Sequence, residues 1–187
     1  MNINNFFVID VGNTDIVAAI IKNFKIFKIK RFKTIVIKKK NFFLFKKFKE
    51  IKKILRVQKK IKCIIASVVP EINYNLKKTC VFFLKENPHF VSFNKTKLNI
   101  KINLTNKNQV GADRIVNTVA VKSLYNAPTL VIDFGTATTF DVINNSGNYV
   151  GGLITPGINL SLQNLFSKTS KLPLVKFKKI NSIIGKN

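Results

Sequence analysis

The sequence predicts an α/β protein in two unequal parts, on three observations. Short apolar, β-branched runs at 6–11, 63–69 and 130–133 are separated by stretches in which Phe, Leu and Ile recur among Lys at helical spacing. The run Phe7-Val-Ile-Asp-Val-Gly-Asn-Thr14 returns as Leu130-Val-Ile-Asp-Phe-Gly-Thr-Ala-Thr138, with 123 residues between Asp10 and Asp133. A second apolar run follows each copy, so strand, turn, strand is written twice.

Residues 6–11 read as the first strand. Residues 16–27 stay apolar except at Lys22, Asn23 and Lys25, which predicts a hairpin turning near Lys22-Asn23, and 32–37 form another β-rich stretch. An amphipathic helix is predicted over 41–57. Residues 63–69 are a buried strand closed by Pro70, 73–85 a helix and 90–93 a short strand. The polar, irregular stretch 95–109 is a connection, after which Val110-Gly-Ala-Asp-Arg114 opens a helix running to about Tyr125. Pro128 ends the next connection. Strands at 130–133 and 138–143 then repeat the N-terminal unit, Asn144-Asn-Ser-Gly147 is a hairpin turn, 151–157 a strand with a Pro-Gly turn, and 158–166 a helix. Two parts follow, 1–109 and 110–187.

Composition supplies mainly background. The chain carries 33 Lys and Arg against 8 acids, a net charge of +25, yet only three are Arg: Arg31, Arg56 and Arg114. It is also heavy in Ile, Asn and Phe, so a Lys-favouring composition accounts for the charge, and only general attraction for anions follows. No specific nucleic-acid partner is expected, and the interleaved Phe residues read as core. Cys63 and Cys80 have no zinc spacing, and Cys63 sits in an apolar strand, which fits a reduced compartment. With no signal-like N-terminus and no apolar run near the length of a membrane span, a cytoplasmic protein without membrane association is expected.

Against this background the scarce residues stand out. All five Asp (Asp10, Asp15, Asp113, Asp133 and Asp141) lie in or beside three short blocks. Six of the eight Gly fall in those blocks or in Gly151-Gly-Leu-Ile-Thr-Pro-Gly157. A strand running into Asp-x-Gly and short polar residues suits phosphate: the Gly lets backbone approach an anion, and the Asp can hold its cation. Two such turns suggest facing half-sites for one nucleotide. Arg114 offers a planar fork for a carboxylate or phosphate that Lys cannot copy. Asp15 and Asp141, just past the turns, read as structural or solvated.

The restarted topology resembles a duplicated ribonuclease-H-like architecture with mixed sheets, the layout of the actin, sugar kinase and heat-shock ATPase superfamily. Five blocks in order, Asp10-Val-Gly-Asn-Thr14, Ser67-Val-Val-Pro70, Gly111-Ala-Asp-Arg114, Asp133-Phe-Gly-Thr-Ala-Thr138 and Gly151-Gly-Leu-Ile-Thr-Pro-Gly157, closely resemble type III pantothenate kinase over residues 6–187. The resemblance implies a phosphotransferase acting on an alcohol: ATP-dependent phosphorylation of pantothenate, the first step to coenzyme A. It further implies a homodimer that uses magnesium and potassium or ammonium.

Residue roles carry over from that resemblance. Asp10, Val11, Gly12, Asn13, Thr14, Asp15, Ile16 and Val17 match the ATP loop, with Asp10 on the nucleotide's magnesium, and Thr136 matches an ATP contact from the second half. Asp133 matches the potassium position, with a second magnesium ligand as its alternative. Gly111, Ala112, Asp113 and Arg114 match the pantothenate site. Asp113 is the candidate base for the hydroxyl proton, with helix capping as its alternative. Arg114 would hold the acceptor's carboxylate or hydroxyl end. The pattern departs where the family carries Tyr and Pro, since Leu104 and Lys107 stand there, and the family continues past Asn187 with a pantothenate-contacting Thr and further helices. The second part is therefore expected to be incomplete and activity impaired. A reading from another class is a non-enzymatic transcriptional regulator like the Bvg accessory factor group.

Overall fold

The computed structural model describes residues 5–34, 41–55, 61–94, 96, 98–176 and 184, the side chains of 41–43, 54 and 55 excepted. Its order is β1 (Asn5–Val11), β2 (Asp15–Lys22), β3 (Lys25–Lys33), α1 (Asn41–Leu55), β4 (Lys62–Ser67), α2 (Pro70–Leu84) and β5 (His89–Phe90). Then follow α3 (Ala112–Leu124), β6 (Thr129–Phe134), β7 (Ala137–Ile143), β8 (Tyr149–Pro156) and α4 (Ile158–Lys168). The chain is thus α/β, with one mixed and one antiparallel sheet.

The first sheet has the order β3-β2-β1-β4-β5. β1, β2 and β3 form an antiparallel meander, whereas β4 joins β1 in parallel and β5 joins β4 in parallel. A parallel neighbour requires a crossover, and α2 lies between β4 and β5 in the chain. Alternation decides the buried face: Phe7, Ile9 and Val11 of β1, Ile16, Ala18 and Ile20 of β2, and Cys63 and Ile65 of β4 enter one core. Leu44, Phe48 and Ile51 of α1 and Ile72, Leu76, Cys80 and Leu84 of α2 close over it at the spacings of a helix face. Cys63 and Cys80 are free, buried thiols within this core.

The second sheet, β6-β7-β8, repeats the antiparallel meander. A smaller core of Ile100, Ile102, Val110, Ile115 and Tyr149 ties the irregular stretch before α3 to this half. Backbone bonds reinforce it: Asn103 N–H donates to Tyr149 O at 2.8 Å and Tyr149 N–H to Lys101 O at 3.0 Å.

Several boundaries differ from the sequence expectation. The first hairpin turns one residue later, at Asn23-Phe24, both with positive φ, as a two-residue turn between Lys22 and Lys25 demands. Phe32 is no part of a separate strand but the end of β3, while 35–37 lie outside the described residues, as do Arg56, Val57, Lys95 and 185–187. β4 stops at Ser67 and α2 starts at Pro70, because proline at the first helical position sacrifices no intrahelical donor. The short strand is His89–Phe90 alone, and α4 runs two residues longer than expected, to Lys168.

Candidate active site

Both Asp-x-Gly turns are closed by a bond from the glycine N–H, and the first is one residue longer than the second. In the first, β1 and β2 pair up to Val11 and Ile16, and Gly12 N–H donates to Asp15 O at 3.0 Å. In the second, β6 and β7 pair up to Phe134 and Thr138, and Gly135 N–H donates to Ala137 O at 3.0 Å. Each bond closes a tight loop in which the residues past the Asp are held at the strand end. The loops meet: the Thr14 and Thr136 hydroxyls are 2.5 Å apart, across 122 residues of chain.

Asp113 stands at the start of α3, and its carboxylate Oδ1 accepts the Arg114 N–H at 2.8 Å. One carboxylate oxygen thus serves the first turn of the helix. Gly111 is the helix's N-cap, and a Cβ there would collide with Oδ1 of Asp113, so glycine is what lets the carboxylate fold back over the turn. Asp10 lies within electrostatic reach of Asp113 and Asp133. Although Asp10 is open to solvent at the strand end, crowding by protein raises its pKa above the ordinary carboxylate value. Partial desolvation is the largest cause, then the charges of Asp113 and Asp133, with Arg31 opposing. Three carboxylates from β1, α3 and β6 thus converge on one region, although among the described residues no three such groups are close enough to ligate a metal unaided.

The other expected residues divide by burial. Val11 and Ile16 point into the first core, and Ala112 is buried at the start of α3, so these three could offer a ligand only backbone. Asn13, Thr14 and Thr136 are exposed at the turns, while Val17 is half-buried on β2. Asp15 forms ion pairs with Lys33 at 2.9 Å and Arg31 at 3.4 Å on the neighbouring strand. The Lys33 hydrogen bond is the main reason its pKa falls, with Arg31 adding to it. Asp141 is wholly buried and pairs with Arg114. Leu104 packs on the second core and Lys107 lies over the Phe93 ring at 5.7 Å, so the two departures from the family pattern are absorbed by local packing.

Sequence reasoning missed the supports. Thr34, fully buried after β3, donates its hydroxyl to Gly12 O at 2.7 Å and its N–H to Thr14 O at 2.9 Å. Ser67 is fixed by its hydroxyl, which donates to Asn73 Oδ1 at 2.7 Å and accepts Val69 N–H at 3.2 Å. Arg31 carried a usable signal, as one of few Arg in a Lys-rich chain, whereas nothing in the local sequence marks Thr34 or Asn73.

A family model for type III pantothenate kinase matches residues 6–187. The chain belongs to the type III pantothenate kinase family. A type III pantothenate kinase from Sulfurihydrogenibium sp. is 47% identical over 126 residues, which is 67% of this chain and 50% of that protein. Another from Desulforapulum autotrophicum is 40% identical over 187 residues, 96% of this chain and 70% of its own length. The chain thus spans about half of the first relative and 70% of the second. Among solved structures, a putative Baf family transcriptional activator from Campylobacter jejuni superposes with a TM-score of 0.51 at 20% identity, covering 93% of this chain and 68% of that one. The Aquifex aeolicus Ppx/GppA phosphatase, type II variant, does so with a TM-score of 0.52 at 14% identity, covering 91% and 57%. At such identities the likeness is one of fold. No helix among the described residues is long and apolar enough to cross a membrane.

Proposed function

We propose that this chain carries the nucleotide and acceptor half-sites of an ATP-dependent pantothenate kinase, on two halves related as duplicated ribonuclease-H-like units, 1–109 and 110–187. The observation that carries this reading is the meeting of the two Asp-x-Gly turns at Thr14 and Thr136, with Asp113 within electrostatic reach of Asp10. Phosphoryl transfer asks mainly for positioning and charge neutralisation, and paired turns at strand ends can supply both.

The backbone amides around Gly12 and Asn13 would face the triphosphate, with Thr14 and Thr136 contacting it from either side. Asp113 takes the proton from the primary hydroxyl of pantothenate as that oxygen attacks phosphorus, and Arg114 holds the acceptor's acidic end. The pKa of Asp10 is raised first by desolvation and then by the charges of Asp113 and Asp133, and a cation beside these carboxylates would favour their charged forms, so the residues fit magnesium and a monovalent cation. Asp10 would hold magnesium alongside phosphate oxygens and water, and Asp133 would hold potassium or ammonium. Bound there, the cations neutralise the charge of the phosphates. A homodimer in the cytoplasm completes the proposal.

The test is phosphorylation of pantothenate by the full chain in the presence of ATP and potassium, compared with Asp113→Asn. Removing the base should lower kcat by about 10²–10⁴-fold. Turnover in that variant equal to the unaltered chain would exclude Asp113 as base. A chain that binds ATP and phosphorylates a sugar but not pantothenate would exclude the acceptor.

A further inference from the structure

Arg114 and Asp141 form an enclosed ion pair in the second half, and neither the turns nor the proposed base requires it. Asp141 lies on β7 with 0% of its side chain exposed, and Arg114, on the first turn of α3, is 12% exposed. Arg114 donates through Nε at 2.6 Å and approaches through Nη2 at 2.5 Å, both to Asp141 Oδ1. The guanidinium carbon lies 5.4 Å from the centre of the Tyr149 ring, so an aromatic face supports the fork as the carboxylate grips it. On the neighbouring strand a Cβ at residue 152 would strike Phe140 O and Arg114 Nη2 and crowd Asp141 Oδ1. Gly152 therefore leaves the space that the fork occupies. Carboxylate, ring and glycine come from β7 and β8 and leave this Arg little rotamer freedom.

A freely moving arginine would lose rotamer entropy each time it captured a carboxylate. One whose Nε already donates to a buried carboxylate, with Nη2 packed against the same oxygen, has lost that freedom before the acceptor arrives, and it keeps its remaining donors in a defined plane. We propose that Asp141 is a positioning residue for acceptor recognition, fixing Arg114 so that its remaining donors meet the acidic end of the acceptor. The inference rests on the pantothenate reading for the identity of the acceptor.

Asp141→Asn preserves shape and one acceptor oxygen while removing the charge that holds the fork. In the full chain it should raise KM for pantothenate roughly tenfold. KM for ATP should stay unchanged, as should KM for the alcohol analogue of pantothenate, which lacks the carboxylate. Arg114→Lys should give the same selective rise, and the double variant should be no worse than the poorer single one, because both remove one function. A purely structural Asp141 would lower the melting temperature, affect all three KM values alike and add to Arg114→Lys, and that result would overturn the proposal. Should Asp141→Asn not fold, Arg114→Lys still decides: an unchanged ratio of pantothenate to analogue KM overturns it. Absence of pantothenate turnover in the unaltered chain is a different failure, since it removes the pantothenate reading before any variant is compared.

Discussion

The first and second turns are near copies in sequence, and each is closed by its own glycine N–H, but they rest on different foundations. When Asp10 is set against Asp133, Ile9 matches Ile132 and Val11 matches Phe134. Ile9 is 4% exposed and Ile132 44%, while Val11 is 0% exposed and Phe134 69%. β1 is flanked by strands on both edges, whereas β6 is paired, among the described residues, with β7 alone. The turn geometry survives this change in surroundings. It depends on the Gly, the short polar residues and the antiparallel pairing of the two adjoining strands, all local, whereas burial of the strand depends on what lies over it. A motif can therefore be legible and correctly folded where its strand is not embedded.

The sharpest way to strain that comparison is to remove the two carboxylates in turn. Asp10→Asn should lower kcat/KM by about 10²–10³-fold, the scale of losing a preorganised charge at a phosphoryl-transfer site. Asp133→Asn should cost less and should abolish the dependence of rate on potassium. Equal losses with potassium dependence intact would mean that the halves do not divide the cations as proposed. Asp10 also carries a stability consequence. Its folded-state pKa is raised, so the folded protein binds that proton more tightly than the unfolded chain does, and stability falls as pH climbs from the ordinary carboxylate value through the raised one. Asp10→Asn should thus melt higher than the unaltered chain at neutral pH, and the gap should close in acid, where the carboxyl is protonated in both states.

A second contrast lies in how the turns are braced. Thr34 holds the first through its hydroxyl as well as its N–H, whereas the second receives a backbone bond, Gly157 N–H to Thr136 O at 2.9 Å. Thr34→Val keeps the shape and the backbone bond but leaves Gly12 O without its hydroxyl donor, at a cost of about 1–3 kcal/mol. Chemical denaturation should show that loss, and KM for ATP should rise while KM for pantothenate holds. A Val variant as stable as the unaltered chain would show that the first turn needs no side-chain brace.

These supports mark where sequence reading ran out. Both turns, the α3 start and the core role of Cys63 were legible because each depends on neighbours within a few positions or on simple alternation. α2 begins earlier than the sequence suggests because Pro70, which cannot continue a central strand, also opens a helix without strain. Thr34 went unseen because its two partners lie about twenty positions upstream, with no spacing rule linking them. Arg114 and Asp141 were each noted, yet their pairing joins the start of α3 to β7 across 27 residues, and only the packing of that helix on the second half brings them together. Asp10 and Asp113 likewise share one region because α3 begins beside the end of β4, next to β1.

The smallest expected effect concerns the residue just past each Asp-x-Gly turn, Asp15 in the first and Thr138 in the second. Thr138 is buried, while Asp15 is half-buried, with the exposed Lys33 and Arg31 across the strand pair. Its lowered pKa means that the ion pairs stabilise the folded state above the ordinary carboxylate value, and that this contribution disappears as pH falls through the lowered one. Such exposed pairs are screened by salt and lose part of their attraction to the ordering of long side chains. Asp15→Asn should therefore shift the melting temperature only slightly at neutral pH and low salt, and not at all at about 1 M salt, where the Debye length shrinks to roughly 3 Å. A large, salt-resistant loss of stability would instead give Asp15 a part in holding the first turn itself. That turn would then carry a second side-chain brace beside Thr34, and the asymmetry between the two halves would be deeper than the Thr34 contacts alone make it.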